Sequence, residues 1–360
     1  MRGLLASVTA ALGPTLLVGS PDPIAELRAQ ASRQGRYEPP TVQELARAEA
    51  LFERTLSRRA DVGALTVEWA GLGFELRRVG ERSDAAAIVL MEAAGRKTGR
   101  GFYVFRDAPA PGLAIQAPHS PSDLSTGEIA LLLYRETRAA AAAWSTVHRR
   151  EADLAHLTAS HFHSFSLAFA RAFPAGRLVQ IHGFDAENPA SGRDPAMGMV
   201  VSSGTRQPGP LVRSSCGCLE RSFPSLVRLY PEQVGELGGT TNTQARALSS
   251  IGYQGFFHLE MSRSFRGRIR EDAASLATLA GCLRPRPARA LAASASSRSC
   301  RPCASAWVDR SRPQARESTI SSCACWRAPS CLCAGTTWRV RPCWSQARSR
   351  SGCAERGRAW

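Results

Sequence analysis

The sequence predicts an α/β domain of three layers, α/β/α, built around a mostly parallel or mixed sheet. Three observations lead there. From 112 to 283, short apolar runs alternate with longer helix-like stretches, the rhythm of strands joined by helices that cover both sheet faces. The clearest of the apolar runs, Leu113 to Ala117, reads as a short buried strand. The chain of 360 residues is 44% hydrophobic and 21% charged, enough apolar material for a sizeable core.

Taken in order, Met1-Arg2 and the small, apolar residues Gly3 to Val18 open the chain. Residues 1–20 read either as a secretory signal segment, with Val18-Gly-Ser20 before Pro21, or as an N-terminal helix. The first would place the protein outside the cell or in the periplasm, the second in the cytoplasm. The segment is under about 20 residues and contains Gly and Pro, so it is not a stable membrane span. Residues 21–60 form a helical preface. Asp22 to Arg36 is a polar helix, and Pro39-Pro40 stops it. Thr41-Val-Gln-Glu44 fits a capping box, and Leu45, Ala48, Leu51, Phe52 and Leu56 line one apolar face through Arg58.

The catalytic-type domain is expected over 61–283. Leu65 to Val79 alternates in part, through Val67, Trp69, Leu72, Phe74 and Leu76. Ala85–Met91 and Gly101–Arg106 read as strands around a basic hairpin turn, Gly95 to Gly101. A phosphate-binding loop would need Gly directly before Lys97, and Arg96 stands there. Further strands are expected at 113–117, 178–182, 198–203, 226–230 and 255–261. Helices are expected near 126–144, 159–173, 209–222, 240–250 and 268–282, the first opened by a capping box at Ser125-Thr-Gly-Glu128.

After Leu283 the pattern breaks. Residues 284–360 are rich in Arg, Ser, Ala, Cys, Pro and Trp, and hold five of the seven Trp and eight of the 11 Cys. A disordered tail usually lacks Trp and Cys, and a folded domain would carry aliphatics. A GC-rich gene read out of frame gives such a mixture, so the tail reads as frameshifted or disordered. Cys300-Arg-Pro-Cys303 has no second pair to complete a zinc ribbon. The tail also explains the formal charge of +16: it holds 15 Arg against three acids, whereas 1–283 holds 31 basic and 27 acidic residues. The nearly balanced body does not call for a nucleic-acid partner. A basic nucleic-acid-binding protein would have to act through the tail alone.

Three strand ends carry the chemistry. His119 and Asp123 follow the first strand, His182 ends the second (Arg177 to Asp185), and Glu260 ends the third (Gly255 to Arg263). In parallel sheets ligands bind at the carboxyl ends of strands. Two His and one carboxylate leave a fourth zinc position for water, as catalytic zinc requires, and Glu260 is placed to move that water's proton. Each residue alone has a structural alternative, as a packed His or an ion-paired Glu. The His148–His163 segment offers Arg149, Arg150 and His156 for substrate contact. His161 and His163 lie two apart and would point to different sides of a helix, so they read as a polar helix start. Gly238-Gly-Thr-Thr-Asn242-Thr-Gln244 either places Asn242 or Gln244 at a substrate carboxylate or oxyanion or is an ordinary loop and N-cap, and Arg263 and Arg266 either clamp an anion or are merely exposed. There is no GxSxG elbow and no HExxH helix.

In these motifs the chain resembles the poly-γ-glutamate hydrolase family. They are Pro118-His119 with its nearby acid, Thr126-Gly-Glu128-Ile-Ala, Leu154-Ala-His156-Leu-Thr, Gln180-Ile-His182-Gly and His258-Leu-Glu260-Met-Ser-Arg-Ser-Phe-Arg266. More distantly it resembles N-formylglutamate amidohydrolases and zinc carboxypeptidases. The resemblance covers about residues 110–283. It implies an open α/β/α, zinc carboxypeptidase-like fold and one zinc ion held by His119, Asp123 and His182, with Asp123 in place of the usual Glu. It also implies Glu260 as general base. The expected activity is hydrolysis of an amide beside a carboxylate, in a γ-glutamyl, N-acyl amino acid or cell-wall peptide substrate, bound through His156, Arg150, Asn242 and Arg266. The alternative is a non-catalytic binding or structural protein on the same scaffold, with a degenerate metal site.

Overall fold

A computed structural model describes residues 22–31, 36–57, 61–80, 86–185 and 194–285. The readings of a signal segment at 1–20 and of the Arg/Cys/Trp tail from 286 onward lie outside them.

The chain begins with α1 (Pro23–Ala31), α2 (Val42–Ser57) and α3 (Val62–Ala70), then β1 (Phe74–Val79), β2 (Ala87–Glu92) and β3 (Phe102–Arg106). Next come β4 (Leu113–Ala117), α4 (Thr126–Glu136), β5 (Ala141–Trp144), α5 (His161–Ala172), β6 (Arg177–Gly183) and β7 (Met199–Ser202). The last elements are α6 (Pro210–Ser222), β8 (Val227–Leu229), α7 (Thr243–Ser250), β9 (Phe256–Met261), α8 (Arg263–Glu271) and α9 (Ala273–Leu283).

The described strands form one mixed sheet in the order β1-β2-β3-β5-β4-β6-β9-β7-β8. Its centre, β5-β4-β6-β9, is parallel, the β1–β3 meander is antiparallel, and β7 runs antiparallel to β9. Helices cover both faces, so this is the expected α/β arrangement. Strand residues alternate between the layers. Ile115, Val179, Ile181, Phe257 and Leu259 pack with α1, α4, α6, α8 and α9. Ala114, Leu178 and Phe256 pack with α2, α3, α5 and α7.

Several elements differ from expectation. The partial alternation of 65–79 is two elements. Leu65 and Trp69, four apart, are the buried face of α3, which Asp61 caps, and Val67 is exposed. The expected helix 126–144 ends at Glu136. After Arg138, in the left-handed region at φ 54°, Ala141–Trp144 enters the sheet between β3 and β4. Alanine's helix preference yields there to pairing with β3 and β4 and to burial of every residue of the strand. The capping box at 125–128 does not form: Ser125 is left-handed at φ 68° and makes no cap bond, and Glu128 pairs with Arg270 instead. The box at Thr41 and Glu44 does form, each side chain accepting the other's backbone N–H at 2.8 and 3.2 Å. The expected helix 268–282 is two helices. The N–H of Asp272 ends α8 on Arg268, and its carboxylate caps α9 through Ala274 and Ser275.

Candidate metal centre

Strand alternation builds the site. On the α5/α7 face, Gln116 of β4, Gln180 and His182 of β6, and His258 and Glu260 of β9 all lie in register, with Gln180 beside His258 and His182 beside Glu260. β4 then delivers His119 into its C-terminal loop, where a turn brings Asp123 back toward β6. The Asp123 Oδ2 accepts the Gly183 N–H at 3.1 Å. His119, Asp123, His182, Gly183, His258 and Glu260 line a cavity of about 210 Å³ at the carboxyl ends of β4, β6 and β9, together with Arg149, Ala155, His156, Gly239, Thr241 and Asn242.

His119 and His182 are 2% and 4% exposed. Their rings stand nearly perpendicular at 77°, with the two Nδ1 atoms 3.2 Å apart. Asp123 Oδ2 lies 3.3 Å from His119 Nδ1. A tetrahedral zinc with bonds of about 2.0–2.1 Å needs its donors about 3.3 Å apart; the two separations from His119 match that spacing, and all three donors lie within 4.8 Å of one another. Both outer nitrogens are committed. His119 Nε2 donates to Asp153 Oδ1 at 2.8 Å, and His182 Nε2 donates to Gln180 Oε1 at 3.3 Å. That is the carboxylate or carbonyl partner by which a metal-binding His is oriented.

A second group, His182, His258 and Glu260, also gathers three potential ligands. It fits less well. The His182 and His258 rings stack at 4.2 Å and 27°, and a ring nitrogen's lone pair lies in the ring plane, so near-parallel rings cannot both aim at one ion between them. His258 nevertheless leaves Nδ1 without a hydrogen-bond partner and holds Nε2 3.9 Å from Glu260.

The charges are uneven. Burial and then the charge of Asp123 push the Glu260 carboxyl up to about 8. Burial and then the neighbouring His119 and His156 hold His258 down at about 3, and burial with His258 and His119 holds His182 well below its ordinary value. Burial opposes protonation of His119, but hydrogen bonds to Asp123 and Asp153 together raise it. Burial likewise opposes ionisation of Asp153, yet the His119 hydrogen bond and charge bring it down to about 2. A metal-free site thus holds a proton where a cation would serve the same carboxylates.

The other site candidates fall as follows. His156 is exposed at the rim, its Nδ1 donating to the Thr241 carbonyl at 3.1 Å. Asn242 lines the cavity, but both ends of its amide are engaged: it caps α7 through Ala245 N–H at 2.9 Å and donates to Gln180 Oε1 at 2.7 Å. Arg150 is exposed and does not line the cavity; Arg149 does, 3.1 Å from Asp153 and 3.8 Å from Asp123. Arg266 is buried behind Gly183, donating to the carbonyls of Phe184 at 3.2 Å and Met261. It braces the strand end and does not reach the cavity, and Arg263 is exposed. His161 packs on Phe74 in the α2/α5 layer, away from the cavity. Sequence reading gave no role to Asp153, Gln180 or His258. The last two share a face with His182 and Glu260 at a spacing of two, a signal that was available; Asp153 sits in an irregular turn that carries none.

No protein-family model matches the chain, and no curated protein matches it. Among solved structures, an N-formylglutamate amidohydrolase from Ralstonia eutropha JMP134 aligns with 51% of this chain and 97% of its own at 10% identity, with a TM-score of 0.38. A protein from Burkholderia mallei ATCC 23344, provisionally named a carboxypeptidase, aligns with 61% of this chain and 65% of its own at 12% identity, with a TM-score of 0.30. Neither likeness enters the functional reading, which rests on the side chains.

Proposed function

We propose that the chain is a zinc-dependent hydrolase of amides that lie beside a carboxylate, with a small peptide or acyl-amino acid as substrate and no nucleic-acid partner. One observation carries this: two histidine Nδ1 atoms stand 3.2 Å apart with a carboxylate oxygen 3.3 Å from one of them, across a strand end from the half-buried carboxyl of Glu260. His119, Asp123 and His182 would hold the ion. When bound, zinc supplies a Lewis acid that polarises a carbonyl and acidifies water.

The chain's own residues do the rest. Asp153 and Gln180 orient the two imidazoles. Glu260, within the cavity, accepts the proton of the attacking water and hands it to the leaving nitrogen. Arg149 is the cavity's cation and holds the substrate's carboxylate, and His156 stands at the rim. The cavity wall contains Ala155 as its sole aliphatic side chain among the described residues, which favours a polar, charged substrate group over an apolar one.

The test is the zinc content of the purified chain, beside folded His119→Ala and His182→Ala variants. About one zinc per chain, lost in both variants, followed by turnover in a screen of γ-glutamyl and N-acyl amides, is the expected result. A well-folded parent that takes up no added zinc would overturn the reading and leave a binding protein on this scaffold.

A further inference from the structure

We infer that Gln180 is a positioning residue that fixes which nitrogen of His182 faces the candidate metal position, through a chain of amides whose polarity is set by the backbone. The inference rests on the reading of His182 as a ligand, and it concerns the ring's tautomer, which exists with or without an ion.

Three glutamines and an asparagine meet beneath the site, all 1% exposed or less. Gln180 Oε1 accepts from Asn242 Nδ2 at 2.7 Å and from His182 Nε2 at 3.3 Å. Gln180 Nε2 donates to Gln116 Oε1 at 2.9 Å and to Gln244 Oε1 at 3.2 Å. An amide could satisfy such neighbours in either orientation if they too were free to turn. Here they are not.

Two of the three neighbours end on a backbone group that can only donate or only accept. Gln244 Nε2 donates to the Leu154 carbonyl at 2.9 Å, which forces its Oε1 toward Gln180. Asn242 Oδ1 accepts the Ala245 N–H at 2.9 Å, which forces its Nδ2 toward Gln180. Ser166 accepts from Gln116 Nε2 at 3.0 Å while its own proton reaches the Phe162 carbonyl at 3.1 Å or Gln116 Oε1 at 3.4 Å, an arrangement that agrees with Gln116 Oε1 facing Gln180. Two independent backbone anchors therefore agree on one orientation of Gln180, with oxygen toward His182. A neutral His182 facing that oxygen carries its proton on Nε2 and leaves the Nδ1 lone pair toward His119 and Asp123. A flipped Gln180 would lose up to four hydrogen bonds in a site closed to water, which a buried amide does not tolerate.

The anchors also tie the two ligand histidines to one short segment. Asp153 holds His119, and the next residue, Leu154, holds His182 through Gln244 and Gln180. Hydrogen bonds from the backbone and side chain of Thr243 to the Ala155 carbonyl, at 2.9 and 3.3 Å, pin that segment to the start of α7.

The test uses the full chain, labelled with ¹⁵N-histidine and stripped of metal by a chelator. Long-range ¹H–¹⁵N spectra, with the His182 signals identified by their loss in His182→Gln, report the tautomer. The parent is expected to show the Nε2–H form. Gln180→Met, which can neither accept from His182 nor join the amide chain, is expected to lose that preference and to weaken zinc binding by about 10- to 100-fold. Gln244→Met leaves Gln180 in place and removes one anchor; it is expected to move the same signals part of the way, and it carries the test if Gln180→Met does not fold. A parent in the Nδ1–H form, or a folded Gln180→Met with the parent's tautomer, overturns the inference. A parent with the Nε2–H form that binds no zinc would defeat the zinc reading and leave this one standing.

Discussion

Two carboxylates flank His119, one at each nitrogen, and they are not equivalent. Asp123 lies 3.3 Å from the inward Nδ1, and Asp153 lies 2.8 Å from the outward Nε2. Asp123→Asn removes a charged ligand and is expected to cut zinc binding by more than about 100-fold, whereas Asp153→Asn, which only loosens an orienting partner, should lose about 10- to 100-fold. A competition titration against a zinc-binding dye measures both, and equal losses would contradict the assignment of roles. Glu260 makes a different prediction. Glu260→Gln should keep its zinc and lose about 10²- to 10⁴-fold in kcat, the usual contribution of a proton-transfer group. The residue scale also holds a histidine with no part in the site. His161 is 1% exposed, neither ring nitrogen has a hydrogen-bond partner, and burial with the nearby Arg100 holds it down at about 3. Its folded value lies below the unfolded one, so its contribution is present above about pH 6.5 and is lost as pH falls toward 3, at up to about 1.4 kcal/mol per pH unit. Chemical denaturation of the metal-free chain should therefore show a shallower acid loss in His161→Leu than in the parent.

At the scale of elements, the sequence showed most where a segment is both apolar and short. β4 runs from Leu113 to Ala117, where a short run that is apolar but for Gln116, set between turn residues, leaves few alternatives. β5 was hidden because Ala139–Ala143 looks helical until a neighbouring strand claims it. The break between α8 and α9 was hidden because one aspartate, Asp272, both stops a helix and starts the next. The site was legible as strand ends bearing His and acid. The partners that orient those residues were not, because they come from glutamines inside strands and from a turn. The loop before α7 shows the same limit. Gly238-Gly239 reads as a flexible connection, yet Gly239 sits at φ 61° and a Cβ there would lie 2.6 Å from the His258 ring. Gly239→Ala should therefore displace a buried imidazole, costing about 1–3 kcal/mol as overpacking does. A urea melt measures that loss, and an unchanged midpoint would show that the loop has room to retreat.

At the scale of the whole molecule, the two faces of the sheet carry different burdens. The face covered by α5 and α7 holds the polar site. The opposite face, with α4, α6, α8 and α9, is apolar and is closed by a bond between Cys218 of α6 and Cys282 of α9. The spacing of the three body cysteines, Cys216, Cys218 and Cys282, decides no pairing. Cys216 and Cys218 lie two apart on α6, and only the turn of that helix decides that Cys218 meets α9 while Cys216 stays buried and free. The cross-link spans 64 residues, and closing a loop of that length in the unfolded chain stabilises the fold by about 4 kcal/mol. Because the bond lies across the sheet from the cavity, its loss should lower stability without touching the site. The Cys218→Ala/Cys282→Ala double variant is accordingly expected to melt on the order of 10 °C below the parent, at about 2–4 °C per kcal/mol for a domain of this size, while its zinc affinity at 25 °C stays within a factor of about two. Reducing the parent with a thiol should reproduce the same shift, since among the described residues Cys218–Cys282 is the disulfide and Cys216 is free. If reduction leaves the parent's melting temperature where it was, the two helices are held by packing alone. If it lowers the melting temperature as expected, the bond itself carries that stability.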